Sequence, residues 1–160
     1  LKDGGQVAII EGKAGNASGE SRKTGATKVF TEASNVTLVA SQPADWDRQK
    51  ALDTAASMLQ ANPDLKAIYC CNDTMALGAL QAVKNAGKLG EIIVVGTDGA
   101  AEALTSVEEG ELNATVAQNS AEIGATSLRR MIKAVKDAEK IDANATPETI
   151  PVDSYIVTKK

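Results

Sequence analysis

At 160 residues the chain can bury one sizeable core, and its 43% apolar content lies in the globular range. A net charge of −4, with the basic residues dispersed, argues against a phosphate-neutralising stripe, so no nucleic-acid partner is expected; no apolar run approaches the roughly 20 residues that span a bilayer. The chain has no histidine, which removes Ser-His-Asp and Cys-His catalysis and the commonest transition-metal ligand, so neither an enzyme nor a metal or cofactor site is the expectation.

The opening Leu1-Lys2-Asp3-Gly4-Gly5 has no initiator Met and no charged-then-apolar leader, as expected of a processed protein or a fragment. Val7-Ala8-Ile9-Ile10 reads as a first strand, and the Gly-rich stretch Gly12 to Gly19 follows it. A helix is predicted from about Gly19 to Ala33, with Ala26, Val29, Phe30 and Ala33 on one face. Val36 to Ala40 is the second strand, and Pro43-Ala44-Asp45 a loop. A helix from Asp47 to Gln60 carries the stripe Leu52, Ala55, Ala56, Leu59. Ala67 to Cys70 is the third strand. A helix from Asp73 to Ala86 follows, capped by Asn72 or Asp73 and ended at Gly87. Ile92 to Val95 is the fourth strand and Ala101 to Glu109 the next helix. Leu112 to Val116 is the fifth strand, and Ala121 to Ala138 the longest helix, with Ile123, Leu128, Met131, Ile132 and Val135 inward. Beyond the polar, linker-like stretch 140–149, Tyr155-Ile156-Val157 forms a last short strand.

Apolar strands alternating with amphipathic helices predict an α/β fold: a doubly wound parallel sheet with helices on both faces. Right-handed crossovers put the loop after each strand on one edge, where such sheets bind ligands. Five residues with large planar or charged side chains fall in or beside those loops: Arg22, Trp46, Asn72, Asp98 and Gln118. A carbohydrate asks for this set. Its hydroxyls need acceptors (Asp), a forked donor (Arg) and groups that do both (Asn, Gln). The C–H face of its ring packs on a flat aromatic. Aromatics are only 2% of the chain, and Trp46 alone lies outside a periodic apolar run. Each residue also has a plainer reading. Trp46 could be a loop aromatic, Asn72 a helix cap, Asp98 a turn residue and Arg22 a solvated helix arginine, while Gln118 says little alone. Their joint placement at strand ends carries the ligand reading.

Gly12 to Gly19 fits neither a P-loop nor a dinucleotide fingerprint. A tight turn with close backbone approach to a partner is the expectation there. The adjacent Cys70 and Cys71 are no CxxC motif and read as small buried strand residues.

The run Ala40-Ser41-Gln42-Pro43-Ala44-Asp45-Trp46-Asp47-Arg48 resembles the ribose-type periplasmic sugar-binding proteins. Asn72-Asp73-Thr74-Met75-Ala76-Leu77-Gly78, Val95-Gly96-Thr97-Asp98-Gly99, Thr115-Val116-Ala117-Gln118, Ile123-Gly124-Ala125 and Val152-Asp153-Ser154-Tyr155-Ile156-Val157 extend the likeness in the same order. The loop Ile10 to Glu20, and Trp46 where ribose binders carry Phe, are similar to the allose-binding branch. The resemblance implies Arg22, Asn72, Asp98 and Gln118 as hydroxyl partners and Trp46 as stacking platform. It implies a monosaccharide ligand (D-allose or a related hexose or ribose), a periplasmic location, hinge closure and delivery to an ABC permease in the membrane. It implies one lobe of a two-lobed fold. Residues 1–118 are the C-terminal sugar-binding lobe, 119–151 a helix and connection packed in a missing N-terminal lobe, and 152–160 a return strand. Two rivals share much of this pattern: the sugar-sensing domain of a lac-repressor-type regulator, and a doubly wound enzyme. The missing histidine and fingerprint argue against the second.

Overall fold

The computed structural model describes residues 3–140 and 142–159. The elements in order are β1 (Gly5–Glu11), α1 (Ala17–Glu32), β2 (Val36–Pro43), α2 (Arg48–Ala61), β3 (Leu65–Cys70), α3 (Asp73–Asn85), β4 (Ile93–Asp98), α4 (Ala101–Glu109), β5 (Ala114–Gln118), α5 (Ser120–Lys136) and β6 (Ser154–Thr158). They fall into two compact units. The first runs to Ala117 and takes in the chain from Ile156 onward; the second is Gln118–Tyr155.

The strand order is β2-β1-β3-β4-β5-β6. β1 pairs in parallel with β2 and β3, as do β3 with β4 and β4 with β5. Val7, Ala8, Ile9 and Ile10 are wholly buried because β1 is a central strand with both faces covered. The order reverses between β1 and β3, the switch point at which doubly wound sheets open a crevice. With right-handed crossovers, the β1-to-β2 connection puts α1 on one face, and the later connections put α2, α3 and α4 on the other. The second face is the denser. Met58 and Leu59 of α2, Met75, Leu80 and Val83 of α3, and Val107 of α4 are buried there with Ile68, Cys70 and Val94. On the α1 side Tyr69, Ile93 and Val95 stay half-buried. A groove of about 650 Å³ runs there between Val29, Phe30, Tyr69, Ile93 and Val95.

The structure corrects several sequence expectations. α1 begins at Ala17, because Asn16 Oδ1 accepts from Gly19 N at 3.0 Å and caps it. Arg22 therefore stands in the second turn. On its apolar face Val29 is exposed, since no other helix of the first unit covers that side of the groove. In α2 the buried face is Ala51, Ala55, Met58 and Leu59, while Ala56 is exposed: Met58, the longer side chain, takes the inward place. β2 and β4 extend past their apolar runs into Pro43 and Asp98, because the parallel ladder continues through polar residues. In α5 none of the five apolar residues expected inward is buried: Ile123, Leu128, Met131, Ile132 and Val135 are 41–77% exposed. The described residues supply no layer against that stripe.

Candidate functional site

The Gly-rich loop after β1 is a seat for an indole. A Cβ at Gly12 would stand 2.1 Å from Trp46 Cη2 and Cζ2, and one at Gly19 would stand 2.9 Å from Cζ2. Only residues without side chains let the six-membered ring of Trp46 lie this close to the backbone. The close-approach expectation thus holds, with Trp46 of the same chain as the partner. Trp46 is presented by a tight turn after β2. Asp45 and Trp46 both take left-handed backbone, at φ 54° and 66°. Such a conformation is strained for these residues and persists only when held. Ala44 N donates to Glu11 O at 2.9 Å, and Asp47 N to Ala44 O at 2.8 Å. Asp47 Oδ1 accepts from Lys50 N at 2.7 Å and caps α2, while Lys50 Nζ reaches Asp45 Oδ2 at 2.9 Å. That bond raises the Lys50 pKa above its ordinary value.

Arg22 follows Gly19 by three positions and so shares its helical face. Its Nη1 donates to the carbonyl of Cys71 at 2.7 Å, and its Nη2 to Asp98 Oδ1 at 2.8 Å. The two acceptors lie just beyond β3 and at the end of β4, so one guanidinium fork ties α1 to two strand ends. The pair is neither buried nor fully exposed, with side-chain accessibilities of 22% and 34%. Asn72 follows Cys71 directly. Its Oδ1 accepts from Met75 N at 2.9 Å, so it caps α3, while its amide nitrogen keeps two donor hydrogens. Asp98 holds φ 130°, a third strained non-glycine at this edge after Asp45 and Trp46. Arg22, Asn72 and Asp98 thus meet around the switch point, and Trp46 stands on the first turn of the helix that carries Arg22. Gln118 ends β5, one residue beyond Ala117, which is level with Asp98, and it belongs to the second unit.

Sequence reasoning missed several residues here. Glu11, the last residue of β1, accepts from Ser41 Oγ at 2.6 Å and pairs with Lys23 Nζ at 3.2 Å. Lys23 also meets Glu20 at 2.8 Å. Hydrogen bonds to Glu20, then to Glu11, raise the Lys23 pKa, and the bond from Lys23 lowers that of Glu20. The charge pattern Glu20–Lys23 was a visible i,i+3 pair; the bond across to Glu11 had no local signal. Cys70 and Cys71 are both buried free thiols, as expected, but only Cys70 is a strand residue: β3 ends there and Cys71 opens the turn into α3. Burial pushes both thiols above the ordinary range, Cys70 the further. Tyr69 is also raised by burial, an effect opposed by its bond to Thr97 Oγ1 at 3.1 Å.

The C-terminal edge of this sheet thus carries planar polar groups and an indole, at the place where doubly wound sheets hold their ligands. The chain belongs to the periplasmic binding protein domain family, whose model matches residues 1–140. It is 61% identical to the D-allose-binding periplasmic protein of Escherichia coli K12 over 98% of its own length and 50% of that protein's. It is 38% identical to the ribose import binding protein of the same strain, covering 99% of this chain and 51% of that one. Among solved structures, an ABC transporter periplasmic solute binding protein from Actinobacillus succinogenes with bound D-allose superposes with a TM-score of 0.87 at 37% identity, over 97% of this chain and 52% of that one. The Caulobacter myo-inositol binding protein, with myo-inositol bound, gives 0.84 at 28%, over 99% and 53%. The chain spans about half the length of these relatives.

Proposed function

We propose that this chain is the C-terminal sugar-gripping part of a periplasmic solute-binding protein, and that it binds D-allose or a closely related monosaccharide without transforming it. The observation that carries the reading is the joining of Arg22, Asp98 and the Cys71–Asn72 corner at one sheet edge, beside an indole held on glycine. Asp98 accepts from ring hydroxyls, Arg22 and Asn72 donate to them, and Trp46 takes the C–H face. Gln118 completes the set from the end of β5. No side chain here needs to change its covalent state, which suits capture and release rather than turnover. The likeness to proteins named for allose and ribose supports this ligand class.

Arg22 and Asp98 stay part-exposed at this edge, and in this reading a second lobe would close over the sugar. Closure is favoured only by the contacts that lobe adds to the bound ligand. We assign residues 119–151 to that second lobe and 152–160 to the return strand, which gives the exposed stripe of α5 its covering surface. The closed form would deliver sugar to an ABC permease. Titration of D-allose, D-ribose and myo-inositol, read by calorimetry and Trp46 fluorescence, tests the ligand. Saturable binding of allose with a change in indole emission is expected. No heat and no spectral change with any sugar, in a chain that carries both lobes, would remove the proposal.

A further inference from the structure

We infer that Asp73 is a positioning residue: its buried carboxylate fixes the Asp98–Gly99–Ala100 turn and so aims the Asp98 carboxylate at the ligand. The inference rests on the sugar-site reading above for its consequence, though not for its geometry. Asp73 opens α3, next to the cap Asn72, and is 1% exposed. A carboxylate so deep needs partners for its oxygens, and both partners come from far along the chain. Oδ2 accepts from Ala100 N at 2.7 Å. Oδ1 accepts from the Thr115 hydroxyl at 2.7 Å, and that hydroxyl accepts in turn from Gly99 N at 3.2 Å. Both amides that follow Asp98 are therefore tied to Asp73, one directly and one through Thr115.

The turn needs such a hold. Asp98 at φ 130° occupies backbone that only glycine adopts freely, and a strained residue persists only where its surroundings over-determine it. Gly99, at φ 73°, is pressed against β5: a Cβ there would lie 2.5 Å from Ala117 Cβ. The room for the carboxylate is also reserved, since a Cβ at Gly96 would stand 2.2 Å from Asp73 Oδ1. Ala100 caps α4 without any side-chain bond, so the Asp73 charge lies beside the starts of two helices, where an anion is favoured. Released from this hold, the turn would relax from its strained φ. The Asp98 carboxylate, now placed 2.8 Å from Arg22 Nη2, would lose its aim. Asparagine in place of Asp73 keeps the shape but offers only one acceptor oxygen to two donors.

The experiment pairs two readouts on the full chain: amide exchange of Gly99 and Ala100 without ligand, and the Kd for D-allose. In Asp73→Asn, exchange at both amides is expected to rise at least tenfold and allose affinity to fall at least tenfold. Adding Asp73→Asn to Asp98→Asn should cost nothing more, because the group being aimed is already changed. A Kd that stays at the wild-type value in folded Asp73→Asn, or losses that simply add in the double variant, would overturn the inference and leave Asp73 as packing only. If Asp73→Asn does not fold, Thr115→Val takes its place, with Thr115→Ser expected to restore both readouts; no change at Gly99 in Thr115→Val would also overturn it. Wild-type protein that binds no sugar, with exchange still raised in the variant, would overturn the sugar reading while supporting the hold on the turn.

Discussion

At the scale of single residues, the site is set by what is left out of the backbone as much as by what points from it. Trp46 rests where Gly12 and Gly19 have no side chains. A methyl at residue 12 must displace the ring, because 2.1 Å is far inside van der Waals contact and Gly12 itself is buried just beyond the end of β1. Gly12→Ala is therefore expected to weaken allose binding at least tenfold and to shift the Trp46 emission, while Gly15→Ala, with nothing near its Cβ but a φ of 78°, changes stability alone. An unchanged Kd in Gly12→Ala would mean that the tilt of the indole does not matter. The buried thiols give a second prediction. The folded-state pKa of Cys70 lies well above its ordinary value because burial disfavours the thiolate. Below about pH 8.5 both folded and unfolded chains keep the proton, and the thiol's contribution is fully present. Above it the unfolded chain loses its proton first, so stability falls as pH climbs toward the folded pKa. Urea midpoints between pH 7 and 10 should decline, and decline less steeply in Cys70→Ala. Parallel curves would refute this.

At the scale of elements, α5 differs from the other helices. α3 is capped, buried along most of its length and packed into the core. α5 is as well capped, with Asn119 accepting from Glu122 N, and has Lys133 and Lys136 in its last turn, yet no residue of it is buried. Helices in water draw most of their stability from packing an apolar face, and this face has no cover among the described residues. In the 160-residue chain, hydrogen exchange in α5 is expected to run at least a hundredfold faster than in α3; equal protection would show that the stripe is already satisfied. Legibility divides along similar lines. The alternation of strands and helices was readable because each apolar run is local. The outer ends of β2 and β4 were not, because Ser41, Gln42, Thr97 and Asp98 are held in strands by the ladder and not by hydrophobicity. The inward phase of α2 was missed because Ala56 and Met58 cannot be ranked without their neighbours. Of the site, residue types at the strand ends could be read, while the Arg22–Asp98 bond spans 76 residues and the Asp73–Thr115 bond 42. No local pattern encodes such contacts.

At the scale of the whole molecule, what matters is how much of a sugar one lobe can hold. In the proposed site Arg22, Asn72, Asp98 and Trp46 would line one side of the sugar, and without a second lobe the opposite hydroxyls would stay in water. Association must still offset the ligand's lost translational and rotational freedom, and fewer contacts offset less of it. A second lobe adds hydrogen bonds and excludes solvent from those already made, which strengthens each polar contact. Residues 1–160 alone are therefore expected to bind D-allose at least a hundredfold more weakly than the Escherichia coli D-allose-binding periplasmic protein, of which they match half the length, a gap of about 2.8 kcal/mol or more. The binding heat capacity should also be less negative, because less surface is buried. Calorimetry on the two proteins at several temperatures decides it. Micromolar or tighter binding by the 160-residue chain, or affinities within threefold of each other, would mean that one lobe already makes the productive contacts. The proposed closure would then add nothing to the grip on the sugar.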